Sequence, residues 1–465
     1  MSRRAWALLL VLCGSIFLEG IDVAMLSVAV PSIKSDLELP TGTAAWVMTA
    51  YVLGYAGFTL LGGRAADLLG RRRMFLIWLG VFLGFSMLGG FATNGWTLIV
   101  ARFVTGVAAA FMTPAAMSII TTSYKEGPQR NKALLVFAGT AAGGFTLGLV
   151  IGGLLMQLGW RWVFFAPVLL GSLILLAALR LLPVQARPTR RDGSFDLMGA
   201  ATAAGTMLLL AYSIVRLEHG IHGWQVTVGA ASAGLLLAAG FVMVERHATV
   251  PLVRLGILRK TSMVRANLSA LLFVGAFFGF QFMVTLYLQQ LRGWSSMETA
   301  LALIVMGTDA VLAPTLTPRL VSRFGNARVI FGGFLIAILS YVLFLPVGLD
   351  WPYAAMLPTL VLSGTAFAFV YGPLTIAATE GTEESEHGLA GGLFQTATQF
   401  GAATGISAVT AVYVLVEANG DGSPQEILSA FRTALIVPAA MVALGAILMA
   451  FSLRAPAPRA VGTGD

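Results

Sequence analysis

Gly63-Arg64-Ala65-Ala66-Asp67-Leu68-Leu69-Gly70-Arg71-Arg72-Arg73 is a short basic stretch wedged between two long apolar runs. Those runs, about 44–62 and 74–90, are each long enough to cross the roughly 30 Å of a bilayer's hydrocarbon as helix. Four arginines therefore sit at a membrane surface. The stretch reads as a tight loop that turns one helix back beside the next. Its glycines supply backbone freedom, and Asp67 is placed to accept from arginines or from the free N–H groups of the next helix. By itself it is no more than the positive loop of any multi-spanning protein.

A second copy changes its weight. Arg319-Leu-Val-Ser-Arg-Phe-Gly325-Asn-Ala-Arg328 repeats Arg64, Gly70 and Arg73, each 255 positions on. An internal repeat carried by two membrane-surface loops is what a transporter built from two homologous halves shows.

Composition sets the same frame. Of the 465 residues, 57% are hydrophobic and only 11% charged, too few to cover a water-facing surface. The net charge of +8 does not indicate nucleic acid, because the basic residues lie in short loops between apolar runs and form no continuous face. Cys13 is the single cysteine and the four histidines are scattered, so neither an intramolecular disulfide nor a Cys/His metal site is available. The start resembles a signal peptide without a cleavage site and reads as a retained first helix.

Cuts at charged and turn-rich breaks give fourteen apolar spans, at about 6–31, 44–62, 74–92, 97–120, 133–156, 162–182, 197–215, 224–244, 267–290, 299–318, 329–346, 352–377, 390–415 and 431–453. With the N-terminus in the cytoplasm, 23 of the 29 Lys and Arg fall inside and only Lys34, Arg161, Arg216, Arg292 and Arg432 outside; Arg102 lies within a span. Both termini are then cytoplasmic. The loop Thr379–Gly388, with four Glu and no basic residue, dissents, but acidic residues contribute little to orientation. The 255-residue offset places two extra helices between the halves. The expected organisation is a six-helix bundle over 1–186, two inserted helices with linkers over 187–260, a second six-helix bundle over 261–455 and a tail over 456–465.

Four ionisable residues lie inside spans: Glu19, Asp22, Arg102 and Asp309. Each costs about 2.5–3.5 kcal/mol at mid-bilayer unless paired or wetted. At 1.5 Å per residue, Asp22 lies about 12 Å and Arg102 about 9 Å from the same membrane face, so the two are able to meet. Such a pair either locks two helices together or acts as a proton switch, in which separation changes the carboxylate's proton affinity. Glu19, three residues from Asp22, shares its helix face and is a second protonation site or a contact for a cation. Asp309 has no basic mate in its half; it either meets a cationic substrate or packs as a neutral acid. Met112, Phe280, Tyr287 and Tyr371 are candidates to line an adaptable apolar pocket, although most aromatics in such a chain pack or face lipid. Gly144, Gly148, Gly152 and Gly153 flatten one helix face, for close packing and for a pivot between rocking halves. No P-loop, clustered nucleophile or metal constellation is present to suggest an enzyme.

At these residues the chain resembles the major facilitator superfamily, in particular its fourteen-helix drug:proton antiporter branch. Gly63-x8-Arg72 resembles the family's loop signature, with Gly63, Asp67, Gly70, Arg71 and Arg72 as gating candidates. Asp22 with Pro31 resembles its first-helix motif, Leu98-Ile-Val-Ala-Arg102-Phe-Val-Thr-Gly106 its fourth-helix motif, and Gly144 to Gly153 its fifth-helix antiporter motif. Gly391-Gly-Leu-Phe-Gln395-Thr-Ala-Thr-Gln399 resembles a thirteenth-helix pattern of the branch. Leu68 and Leu149 depart from those patterns, where Arg and Pro are usual. The resemblance implies an all-α membrane protein of major facilitator fold, acting as a monomer without cofactor in a bacterial cell membrane. It implies export of lipophilic or cationic drugs by alternating access, with the proton as coupling ion and Asp22 in the coupling role. The alternatives are a dedicated exporter of one endogenous compound and, from another class, a non-transporting membrane sensor.

Overall fold

A computed structural model describes residues 2–39, 41–124, 127–183, 197–216, 223–247, 261–380, 382, 387–417 and 423–453. Arg187, Arg190, Arg191, Arg254, Arg259, Lys260, Glu383, Glu384, Glu386 and the tail 456–465 lie outside them.

The described chain is all helix, because in hydrocarbon each backbone N–H and C=O must be bonded within its own segment. The first six helices are α1 (Arg3–Asp36), α2 (Thr41–Leu69), α3 (Arg71–Gly90), α4 (Gly95–Ser123), α5 (Pro128–Leu155) and α6 (Trp162–Leu181). The inserted pair is α7 (Leu197–Val215) and α8 (Trp224–His247). The second half comprises α9 (Thr261–Leu286), α10 (Ser296–Leu303), α11 (Asp309–Thr315), α12 (Thr317–Phe324), α13 (Asn326–Phe344), α14 (Tyr353–Thr379), α15 (His387–Glu417), α16 (Pro424–Ala434) and α17 (Ile436–Leu453). Thirteen of the described helical segments are long and apolar enough to cross a bilayer, and Met198–Ile214 of α7 is a shorter fourteenth.

Local chemistry fixes the helix ends. Asn94 caps α4 by accepting from the Thr97 N–H at 2.9 Å, and Ser295 with Glu298 forms a reciprocal capping box on α10. The basic stretch is more helical than a loop reading predicts. Helix α2 runs through to Leu69, α3 starts at Arg71, and Gly70 alone, at φ +98°, makes the turn. Gly325, at φ +82°, makes the equivalent turn between α12 and α13. A side chain at either position would strain the left-handed backbone.

Two large apolar cores follow from the two halves, one built on α1–α6 and joined by Ile376 of α14, and one built on α9–α17 and joined by Ala138 of α5. Helix–helix contact inside a bilayer rests on close backbone approach at small residues. Gly144, Gly148 and Gly152 of α5 seat the backbone of α1 at Phe17, Ile21 and Met25, and Gly401 and Gly405 of α15 seat α9 at Leu271 and Gly275. The three α5 glycines thus lie inside the first bundle and not on a pivot between halves. The face of α5 that meets the other half is one helical step round: Gly139 opposes Ala313, Gly143 opposes Ala310, and Gly153 opposes Met297.

Span ten, expected as one helix, is jointed. After α10 comes a 3-10 turn, Ile304–Thr308, then α11 with Pro314, which runs on through Leu316, still right-handed helical and bonded to the Leu312 carbonyl, into α12. Helix α7 bridges the halves on the other side: Leu208 covers Gly57 of α2, while Ala200 and Ala203 join a cluster with Leu60 of α2 and with Leu389 and Ala390 of α15. Helix α8 packs on α7, with Leu210 against Gly234, and leaves Leu235, Leu236 and Met243 exposed.

Candidate functional site

The first bundle buries three of the four intramembrane charges in one cluster. Arg102 of α4 donates from Nη1 to Oδ2 of Asp22 on α1 at 2.5 Å, and both side chains are 2% exposed. The guanidinium also lies 4.5 Å from the ring centroid of Tyr51 on α2. Here the arginine's stacking face and its donor edge are both used, which a lysine would not reproduce.

One turn along α1, Glu19 accepts from the hydroxyl of Tyr55 at 3.0 Å and from that of Thr113 on α4. Tyr51 and Tyr55, four apart on α2, present one face to both acidic residues, and their rings meet edge to face. That spacing was visible in the sequence, but it is indistinguishable there from ordinary aromatic packing. Thr113 carries no such signal, being one hydroxyl among many in apolar helices.

The second bundle meets this cluster with aromatic surface. Tyr371 of α14 stacks on Phe367 at 4.9 Å, tilts against Phe394 at 5.6 Å, and its hydroxyl bonds Gln395 of α15. It lies within electrostatic reach of Glu19 and of Tyr55. The other pocket candidates are elsewhere. Met112 is fully buried in the first bundle's core. Phe280 stacks on Tyr341 at 4.4 Å inside the second bundle, and Tyr287 donates to the Gly348 carbonyl at 2.6 Å at the end away from the basic turns. Asp309 is 1% exposed, and neither of its oxygens meets a side-chain partner among the described residues.

At the basic turn the halves touch. Asp67 accepts from the N–H groups of Gly388 and Leu389, both at 3.1 Å, and so caps the first turn of α15 and not that of the next helix, α3. Gly63 lies so close to the Gly388 carbonyl that a Cβ could not fit. Arg71 reaches Asp67 at 3.4 Å, whereas Arg72 turns inward to the Leu179 carbonyl of α6 at 3.0 Å. A carboxylate on free amides at a helix's positive end is a strong, directional closure. Away from it, Asp36 accepts from the Trp160 indole at 2.8 Å and from Arg161 at 3.2 Å, which hold its carboxyl below the usual range.

Two membrane-spanning bundles that touch at the basic turn, the first of them burying a charge pair, have the architecture of a multi-pass membrane transporter. The profile of the Major Facilitator Superfamily matches residues 12–406, and the chain belongs to that family. It is 33% identical to the puromycin resistance protein of Streptomyces alboniger, over 88% of this chain and 82% of that one. It is also 33% identical to the cephamycin export protein of Amycolatopsis lactamdurans, over 94% and 90%. The human organic anion transporter MFSD10 shares the fold, with a TM-score of 0.69 at 16% identity, covering 97% of this chain and all of that one.

Proposed function

We propose that the protein is a proton-coupled exporter of lipophilic, antibiotic-like small molecules in a bacterial plasma membrane, working as a monomer with both termini and the basic turns in the cytoplasm. The observation that carries it is the Asp22–Arg102 pair, buried at 2% exposure between α1 and α4 with Glu19 one turn away. As an ion pair the two charges cancel. A proton taken up by Asp22 removes the attraction, leaves Arg102 against Tyr51, and loosens the hold of α4 on α1. The two access states then differ in proton affinity, which is all that coupling requires. Glu19 gives a cation a counter-charge, and Tyr371 and Phe367 give it ring faces, so substrate and proton bias the same acidic cluster in opposite directions.

Everted vesicles with an acidified lumen test this. Adding a substrate should release luminal protons in wild type and not in Asp22→Asn. Substrate movement without any proton movement in either vesicle would refute the coupling. The relatives' names each carry a single antibiotic, which favours a second reading, dedicated export of one compound. A resistance profile confined to one structural class would select it.

A further inference from the structure

The closure at Asp67 joins α2 to α15, and α7 lies across that same contact. Halves that rock must part there, and a helix lying over the line of parting goes with one of them or is torn from both. The packing of α7 says which.

Against α2 the fit is interlocked. At the end away from the basic turns, Tyr212 stacks on Trp46 with ring centroids 6.0 Å apart and planes 20° from parallel. About one turn further in, Leu208 fills the space above Gly57, where a Cβ would come within 2.5 Å of it. Ala211 shares a cluster with Leu53 and Ala56, and Ala200 and Ala203 share another with Leu60. From Trp46 to Leu60, at 1.5 Å per residue, these contacts follow α2 for about 21 Å. Helix α8 is locked to α7 in turn, with Leu210 on Gly234 and Leu237 on Gly205.

Against α15 the contact is of another kind. Leu389 and Ala390 join the cluster of Ala200 and Ala203, and Phe400 packs on that of Ala211. The atoms nearest to the glycines of α15, however, belong to α2, α4 and α9. Two alanines laid beside Leu389 and Ala390 make a surface that shears, whereas a leucine seated over a glycine must be lifted out. Parting also exposes polar groups. When Asp67 withdraws, the N–H groups of Gly388 and Leu389 lose their acceptor, and hydrocarbon offers no replacement. A helix that stays over the crack keeps acyl chains out of it and leaves the space to water.

We propose that α7 and α8 travel with the first half as one body and slide over α15, so that α7 screens the opening at the basic turns from lipid. Such a strap serves any cargo and any coupling ion, and so goes beyond the export function proposed above.

The test is distance measurement between nitroxide labels on the full chain in lipid nanodiscs, in a Cys13→Ser background. Labels are paired among exposed Leu69 of α2, Met198 of α7 and Glu380 beyond α14. Gly63→Phe serves as a wedge, because Gly63 has no room for a side chain against the Gly388 carbonyl, and Asp67→Ala is the milder trigger that only removes the bonds. In both variants the Leu69–Glu380 distance should lengthen by several ångströms and Met198–Glu380 with it, while Leu69–Met198 keeps its distribution. Lengthening of Leu69–Met198 with Met198–Glu380 unchanged would assign α7 to the second half, and lengthening of all three would make it a free helix; either overturns the strap. A Leu69–Glu380 distance fixed in both variants would mean that the halves do not part at this contact, which overturns it as well. A phospholipid with a diazirine acyl chain should tag α7 and leave residues 388–393 untagged in wild type and wedge alike. Tagging of 388–393 in the wedge would remove the screen.

Discussion

Spans two and ten hold equivalent places in the two halves, since Gly70 and Gly325 turn both into the next helix at positive φ. Yet span two is one regular helix from Thr41 to Leu69, and span ten is interrupted by the 3-10 turn Ile304–Thr308 and carries Pro314. The contrast extends to their polar groups. Asp67 caps the opposite half, whereas Ser322, which stands 255 positions on, bonds among the described residues only back to the Arg319 carbonyl. Tyr51 and Tyr55 of span two serve a complete charge cluster, while Asp309 of span ten is alone. A repeat in sequence has been kept as a repeat of turns, and the interiors have diverged. The first half pairs its intramembrane acids with side chains; the second keeps the 3-10 turn.

That contrast is open to attack, beginning where the effect is largest. Arg102→Met leaves Asp22 buried without its partner and should cost about 3–5 kcal/mol of stability along with all coupled transport. Asp22→Asn combined with Arg102→Met should recover most of the melting temperature and none of the proton movement. Recovery of both would make the pair a mere helix clamp. At the turns, Asp67→Ala should remove the cap on α15, worth about 1–2 kcal/mol, and slow efflux about tenfold, while Ser322→Ala changes neither efflux nor stability by more than about twofold. Equal effects would abolish the asymmetry claimed for the two halves.

The glycines sharpen it further. Gly148→Val places bulk against Ile21 within the first bundle and should lower the melting temperature, whereas Gly143→Ala, at 3.1 Å from Ala310 of the other half, should alter turnover with little change in melting. Smallest is the effect of Asp36. Its folded carboxyl titrates below the unfolded value of about 3.9, so its contribution is present above that pH and is lost as pH falls through the folded value. Asp36→Asn should therefore narrow the difference in melting temperature between pH 7 and pH 3 by a small margin, read by nanodisc calorimetry.

Much of the architecture was legible in the sequence because hydrocarbon permits only helices, and apolar runs between basic turns count them. The meeting of Asp22 with Arg102 was legible too, since depth along two helices is simple arithmetic. What was not legible was direction around a helix axis. Gly143 and Gly144 are neighbours in sequence, yet one faces span ten and the other α1; Gly152 and Gly153 divide in the same way. A stripe of glycines says that a helix is approached closely without saying by what. Phe280 and Tyr287 show the same limit, for their composition suits a pocket and their azimuth puts them inside the second bundle. The 3-10 turn of span ten gave no local warning except Gly307, a residue that membrane helices commonly absorb without breaking.

Under the proposed proton cycle, the Asp22–Arg102 pair also sets how the carrier answers the electric field across its membrane. While paired, the two groups sum to zero, so their displacement during reorientation does no electrical work. Once Asp22 takes a proton, Arg102 leaves a net positive charge, and moving one such charge through the full field is worth about 2.3 kcal/mol per 100 mV. In that cycle inside-negative voltage would draw the proton-loaded form inward and leave the empty form to return at its own pace. Depolarisation should slow the loaded half of the cycle alone.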